Sequence, residues 1–180
     1  MVRRFILYPL AFTLFLMSSQ LRARILVLSD AASRGERPDL SGPAVREVLE
    51  ARGWQVVSIE ILPDDLNTIR QRLEALTDAD DCDAVITSGG TGVGPRDVTP
   101  EATRAVIEKE IPGLPELMRA EGVKKTRRAA LSRGIVGVRK GKLIINLPGS
   151  PHGAFESIET IWDLLPHAVD LIQGRTAHHE

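Results

Sequence analysis

Residues 87–103 read TSGGTGVGPRDVTPEAT, and the four glycines Gly89, Gly90, Gly92 and Gly94 follow directly on the apolar run Ala84-Val85-Ile86. Glycine admits positive φ and carries no side chain, so backbone N–H groups leaving a strand can turn toward one point and bind an anion. The amides from Ser88 to Gly94, Thr91 included, are placed for this, and a phosphate is the natural occupant. A helix start at Thr99-Pro100 lies close behind, and its N-terminal dipole is expected to add to the same field. Arg96 offers a guanidinium to neutralise a phosphate. Two familiar phosphate loops are excluded. Gly89 to Gly94 has the G-x-x-x-x-G spacing, but Pro95-Arg96 stands where Lys-[ST] is required. The G-x-G-x-x-G dinucleotide fingerprint belongs after the first strand, and this loop follows the third. A glycine-rich turn without a ligand is the plain alternative.

Other polar residues fall at strand ends. Ser29 and Asp30 follow Ile25-Leu26-Val27-Leu28 and are placed to reach a substrate, although Asp30 can equally stabilise its own loop. Asp64 lies at or near the N-cap of a helix, where its oxygen can accept a free backbone N–H. Pro148, Gly149 and Ser150 form a second sharp loop after a strand, which is also ordinary turn chemistry.

Alternating segments must position these residues. Ile25–Leu28 is a continuous apolar run, as in a strand covered on both faces. Ser41-Gly42-Pro43 predicts a helix with proline at its first position and Val45, Val48 and Leu49 on one face, stopped by Gly53. Trp54–Leu62 predicts a second strand, and Pro63-Asp64-Asp65 opens a helix with Leu66, Ile69, Leu73 and Leu76 on one side. A third strand spans Ala84–Thr87. The helix from Thr99 is expected to run to about Lys109, with further helical pieces to Arg128. Ile135–Val138 and Leu143–Ile145 flank Arg139-Lys140-Gly141-Lys142 as a tight hairpin. In the last helix Phe155, Ile158, Trp162 and Leu165 share one side, and Pro166 kinks it or starts a new turn. The pattern predicts an α/β fold, a mostly parallel sheet with one antiparallel strand or hairpin and helices on both faces. Ligands in such sheets bind beyond the carboxyl ends of the strands, so loops 29–42, 87–99 and 147–153 should share one rim.

Bulk properties exclude several classes. The chain has 180 residues, 43% apolar and 26% charged, the balance of one globular domain. A net charge of −1 gives no whole-chain signal for nucleic acid, and Lys124-Lys125-Thr126-Arg127-Arg128 reads as a solvated loop or helix end. The single cysteine, Cys82, excludes an intrachain disulfide, and its neighbours Asp80, Asp81 and Asp83 disfavour the thiolate. His152, His167, His178 and His179 lack metal-ligand spacing.

The segment 1–23 is set apart from the fold. Arg3 and Arg4 precede an apolar run from Phe5 to Leu16, a signal-like pattern too short to span a membrane. No small-x-small cleavage site follows, and Met17 precedes a polar lead-in as a start would, so a start assigned too early is favoured over export. A single domain is expected over 24–174, with a frayed tail at 175–180.

SGGTG followed by PRDVTPEAT resembles the signature of the molybdopterin-binding family of molybdenum cofactor biosynthesis. SD and DLSGP within 29–43, LPDD at 62–65, PGLPELMR at 112–119, LSR at 131–133 and LIINLPGSP at 143–151 support the resemblance, which covers Arg24 to about Gly174. It implies a three-layer α-β-α fold, assembly as a homotrimer or dimer of trimers, and binding of molybdopterin, a pyranopterin with a dithiolene and a terminal phosphate. It implies Mg²⁺ and ATP, with adenylyl-molybdopterin and pyrophosphate as products, a cytoplasmic location, and a downstream molybdenum-inserting enzyme as partner. A molybdopterin-binding or carrier protein without nucleotide chemistry is the alternative, and an exported binding module a third. Asp64 and Asp97 match the family's two acidic positions. The attacking phosphate monoester is largely ionised at neutral pH, so they are expected to hold a metal or its waters and not to remove a proton. Glu116, Ser132 and Arg133 lie in matching segments, and Glu116 is expected at the substrate.

Overall fold

The computed structural model describes residues 20–175. In chain order the elements are β1 (Arg22–Leu28), α1 (Asp30–Ser33), α2 (Ser41–Ala51), β2 (Gln55–Leu62), α3 (Leu66–Asp78), β3 (Ala84–Ser88) and α4 (Thr99–Arg104). Then come β4 (Lys109–Glu110), α5 (Gly113–Lys125), a 3-10 turn (Arg127–Leu131), β5 (Val136–Arg139), β6 (Lys142–Leu147), α6 (Pro151–Ile161), a second 3-10 turn (Trp162–Leu164) and α7 (Leu165–Ile172). The six strands form one sheet in the order β2-β1-β3-β6-β5-β4. Pairings from β2 through β6 are parallel, and β5 runs antiparallel to both its neighbours.

Side-chain alternation on buried strands builds the three layers. Ala23, Ile25 and Val27 of β1 join Ile86, Leu143 and Ile145 on one face, packed with Val45, Leu49, Ile158, Leu165 and Val169 from α2, α6 and α7. Leu26 and Leu28 join Val85 and Ile144 on the other, against Ile69, Leu73 and Leu76 of α3 and Ala102 of α4. Burial on both faces is why these strands read as unbroken apolar runs. Each such Ile or Leu contributes about 1.5–3 kcal/mol of transfer free energy.

The hairpin is as expected. Lys140 (φ 47°) and Gly141 (φ 74°) form its two-residue turn between β5 and β6, the left-handed conformation that tight hairpins need. At Pro166 a new helix, α7, begins after the second 3-10 turn, with the proline in its first turn.

Four local expectations differ. The helix from Thr99 ends at Arg104, because the chain beyond pairs with β5: Glu108 N donates to Val138 O at 2.8 Å and Ile111 N to Val136 O at 2.7 Å. The cap of α3 is Asp65, whose Oδ1 accepts from Thr68 N at 2.9 Å, leaving Asp64 for other work. Phe155 is 44% exposed, while Ile158 and Leu165 on that side are buried. Finally, β1 starts at Arg22, ahead of the apolar run, because Arg22 N is held by Asp83 Oδ2 and the strand pairs with Gln55 from there. The apolar run Phe5–Leu16 and residues 176–180 lie outside the described residues. No helix among those described is long and apolar enough to cross a membrane.

Candidate functional site

Parallel register sets the ends of β1, β3 and β6 side by side, with Val27 opposite Ser88 and Ser88 opposite Leu147. The loops leaving these strands therefore meet on one rim, and they are tied together there. Gly89 N donates to Leu147 O at 3.1 Å and the Ser88 hydroxyl donates to Pro148 O at 2.9 Å. Gly89 has φ 118°, and a Cβ on it would fall on the Leu28 carbonyl oxygen; one on Gly149 would stand 3.1 Å from Gly89 Cα. Only glycine lets these backbones pass so closely.

Beyond Gly89 the carbonyls are captured in succession. Gly89 O accepts from the Thr99 hydroxyl at 2.9 Å and Gly90 O from Thr99 N at 3.2 Å. Thr91 O accepts from Arg133 N at 2.8 Å and Gly92 O from Arg133 Nε at 2.6 Å. The N–H groups of Gly90, Thr91, Gly92 and Val93 meet no protein acceptor among the described residues. Consecutive unpaired amides are what an anion-binding nest requires. At the helix start behind them, Thr99 N, the first amide of α4, is engaged by Gly90 O.

On one side of the loop stands a cluster of charge. Asp30 N donates to Asp64 Oδ2 at 3.0 Å, and Asp64 N donates to Asp30 Oδ1 at 3.1 Å. Arg96 binds Asp30 bidentately, both contacts 3.0 Å, and holds its carboxyl below the ordinary range. Asp64 is different. Burial pushes its carboxyl above the ordinary range, with repulsion from Asp30 and Asp97 in the same direction, outweighing the Asp30 N–H and the more distant Arg96. Asp64 Oδ1 would lie 3.1 Å from a Cβ on Gly90, so this carboxylate lies against the loop. Asp97 lies further along, its Oδ2 accepting from Gly94 N at 2.7 Å. Neither Asp64 Oδ1 nor Asp97 Oδ1 receives a hydrogen bond from the described residues.

Next to the loop, and lined by Asp97 as well, opens a cavity of about 610 Å³. Gly90, Thr91, Gly92 and Asp97 contribute to the lining, as do Pro148, Gly149 and Ser150, and most of the rest comes from α5, the first 3-10 turn and α6, with Ser132, Gly134 and Asn146 beside them. The volume suits a small organic ligand.

The structure thus brings Asp30, Asp64, Asp97, Arg96 and the loop Ser88–Gly92 together with Pro148, Gly149 and Ser150. Three hydroxyls are held locally: Ser29 Oγ caps α1 by accepting from Ala32 N at 3.3 Å, Ser150 Oγ caps α6 by accepting from Gly153 N at 3.2 Å, and Ser88 is tied to Pro148. Glu116 is exposed and stands outside the cavity lining, which its neighbours Pro115, Met118 and Arg119 enter. Two features escaped the sequence reading. Arg119 and Lys125 of α5 reach the cavity, because α5 packs beside the sheet's rim. Asn146, buried in β6, bridges the Thr87 and Thr103 hydroxyls at 3.0 Å each beneath the loop. A polar residue inside the apolar run LIINL is the signal that could have found it. Cys82 is buried and its thiol is pushed up to about 11, by burial first and Asp81 next, in keeping with an inert cysteine.

Comparison with known proteins places this rim in context. Residues 24–167 match the family described as a probable molybdopterin binding domain. The molybdopterin adenylyltransferase of Helicobacter pylori strain J99 is 43% identical over 152 residues, covering 83% of this chain and 86% of that protein. The molybdopterin adenylyltransferase of Escherichia coli K12 is 36% identical over 168 residues, covering 86% of each. The crystal structure of the molybdopterin biosynthesis enzyme MoaB from Thermus thermophilus superposes with a TM-score of 0.82 at 49% identity, covering 86% of this chain and 98% of that one. Family match, identity over most of the length and a shared fold agree, and the chain belongs to the molybdopterin-binding domain family.

Proposed function

We propose that this chain is a molybdopterin adenylyltransferase of molybdenum cofactor biosynthesis, transferring AMP from ATP to the terminal phosphate of molybdopterin and releasing pyrophosphate. The relatives so named support the reaction. The observation that carries it in this molecule is the row of unpaired amides, Gly90 to Val93, in a loop that both lines a cavity of about 610 Å³ and adjoins carboxylates, Asp97 among the cavity's own lining.

The chemistry follows from that placement. An oxygen of the molybdopterin phosphate attacks the α-phosphorus of ATP, a new P–O bond forms, and the bond to the bridging oxygen breaks with pyrophosphate leaving. The nucleophile has a second pKa of about 6 and is largely dianionic at neutral pH, so no side chain need take a proton. What the reaction needs is positive charge between anions. The loop amides supply part of it, holding phosphate oxygens, while Arg96 at the loop's end is paired with Asp30.

The donor set fits Mg²⁺. Among the described residues no three Asp, Glu, His or Cys side chains converge, so the protein alone builds no closed metal cage. Asp64 and Asp97 each keep one oxygen without a protein donor, and Mg²⁺ characteristically takes one or two carboxylates and completes its shell with water and substrate phosphates. When bound, it would neutralise developing phosphate charge. Asp64 and Asp97 are the residues proposed to hold it. A cytoplasmic homotrimer or dimer of trimers that passes its product to a molybdenum-inserting enzyme, as the resemblance of the sequence motifs implies, completes the proposal.

The test is direct. Purified protein mixed with molybdopterin, Mg²⁺ and ATP should release pyrophosphate in proportion to adenylyl-molybdopterin. Molybdopterin binding without any pyrophosphate would replace this reading with that of a carrier.

A further inference from the structure

We infer that Arg133 is a positioning residue, one that orients the anion-binding amides without touching the substrate; the inference rests on the transferase reading for the reaction it serves. Arg133 lies just past the first 3-10 turn, between Ser132 and Gly134, which line the cavity. Its main chain and side chain both turn toward the back of the glycine loop. Arg133 N donates to Thr91 O at 2.8 Å, Nε to Gly92 O at 2.6 Å and Nη2 to Asp97 O at 2.6 Å. Nη1 pairs with the Glu101 carboxylate, which fixes the guanidinium from the α4 side.

The consequence comes from peptide geometry. In a trans peptide the C=O and N–H of one plane point in opposite directions, and no cis bond occurs among the described residues. A carbonyl tethered at the back of the loop therefore aims the next residue's N–H away from the tether. Arg133 N holds Thr91 O and so aims Gly92 N–H; Arg133 Nε holds Gly92 O and so aims Val93 N–H. Thr99 does the same for the two preceding planes, its hydroxyl holding Gly89 O and its N–H holding Gly90 O. The four amides left without acceptors follow the four carbonyls that these two residues capture.

Glycine makes this tether necessary. Peptide planes flanked by glycine flip with little steric penalty, so a loop with Gly89, Gly90, Gly92 and Gly94 would otherwise sample orientations that present carbonyl oxygens to the phosphate. A planar fork with several fixed donors can hold Gly92 O, Asp97 O and Glu101 at once, and a lysine cannot. The same fork holds the backbone of Asp97, so the loop amides and one proposed metal carboxylate share a single brace.

The experiment compares Arg133→Ala, Arg133→Lys and Thr99→Val with wild type in three readouts: thermal midpoint, kcat/KM for pyrophosphate release, and amide shifts of residues 90–93 on titration with inorganic pyrophosphate. Arg133→Ala should lose about 10²-fold in kcat/KM, the size expected of a small misplacement of aligned groups. Its Gly92 and Val93 shifts on pyrophosphate addition should disappear while the protein stays folded. Arg133→Lys, with the charge but not the fork, should recover only part, and Thr99→Val should weaken the response of Gly90 with Arg133 in place. Wild-type shifts and turnover in Arg133→Ala overturn the inference, as does full activity in Arg133→Lys should the alanine variant fail to fold. Arg133-dependent shifts in a wild-type protein that makes no adenylyl-molybdopterin would instead overturn the transferase reading and leave the amide brace standing.

Discussion

Asp30 and Asp64 hold one another by exchanging hydrogen bonds, each main-chain N–H donating to the other's carboxylate at 3.0 and 3.1 Å. The exchange pins the loop after β1 to the start of α3 and brings two negative groups close together. Arg96 relieves only one of them, since its fork is on Asp30. The result is an acid pair with shifts of opposite sign, Asp30 lowered and Asp64 raised. Opposed shifts on neighbouring acids mark a candidate functional site.

That raised value has a stability consequence whose sign is fixed. An acid with a folded pKa above its unfolded one favours the fold when protonated; the benefit is complete below the ordinary value of 3.8 and is lost as pH rises through the folded pKa. At neutral pH ionised Asp64 is therefore a burden. Asp64→Asn, whose amide oxygen can still accept from Asp30 N, should unfold at higher urea than wild type at pH 7.5, and the gap should close on approach to pH 4. A variant less stable than wild type at neutral pH would contradict the assignment.

Activity should move the other way. Asp64→Asn and Asp97→Asn should each lose about 10²-fold or more in turnover, as expected when preorganised charge around a transferring phosphoryl group is removed. Molybdopterin binding should survive, because the loop amides remain. Near-normal turnover in both variants would remove these residues from the chemistry.

Much of this arrangement is legible before any coordinates. Continuous apolar runs mark strands buried on both faces, and the shared rim follows from parallel order, so loops 29–42, 87–99 and 147–153 meet where expected. What escaped depends on neighbours distant in sequence. Asp64 and Asp65 are adjacent carboxylates, and composition cannot say which one turns to Thr68 and which to Asp30. The helix after Thr99 stops early for β4, a two-residue strand that exists only because β5 accepts it. Gly137 permits that approach: a Cβ there would meet Ile107 and the Lys109 carbonyl at 2.8 Å. Arg133 lies 41 residues from Gly92 in sequence, and its motif says nothing of the carbonyls it reaches.

Cys82 supplies a probe of the fold's integrity. With its thiol pushed up to about 11, only about one part in a thousand is thiolate at pH 8. The residue is 2% exposed, packed with Leu73, Leu76 and Val85. Native protein should react with a thiol-specific disulfide reagent very slowly at pH 8, and urea should accelerate labelling in step with unfolding. Rapid stoichiometric labelling of native protein would show the segment between α3 and β3 to be open.

The glycines of the loop separate strain from function. At Gly89 the backbone has φ 118°, and an added Cβ would strike the Leu28 carbonyl, a main-chain atom of a central strand that cannot yield. Gly89→Ala should therefore cost about 3 kcal/mol or more and show chiefly as a lowered unfolding midpoint. Gly90, at φ 62°, lies in the left-handed region that other residues enter at about 1 kcal/mol. Its added Cβ would press on the Thr99 hydroxyl and approach Asp64 Oδ1, side-chain atoms that can shift. Gly90→Ala should thus remain folded but lose turnover, because the atoms that give way are the anchor of Gly89 O and a proposed metal ligand. Denaturant midpoints and pyrophosphate release measured on both variants decide the matter; equal stability losses, or full activity in Gly90→Ala, would mean that the loop's geometry is not what aligns the reaction.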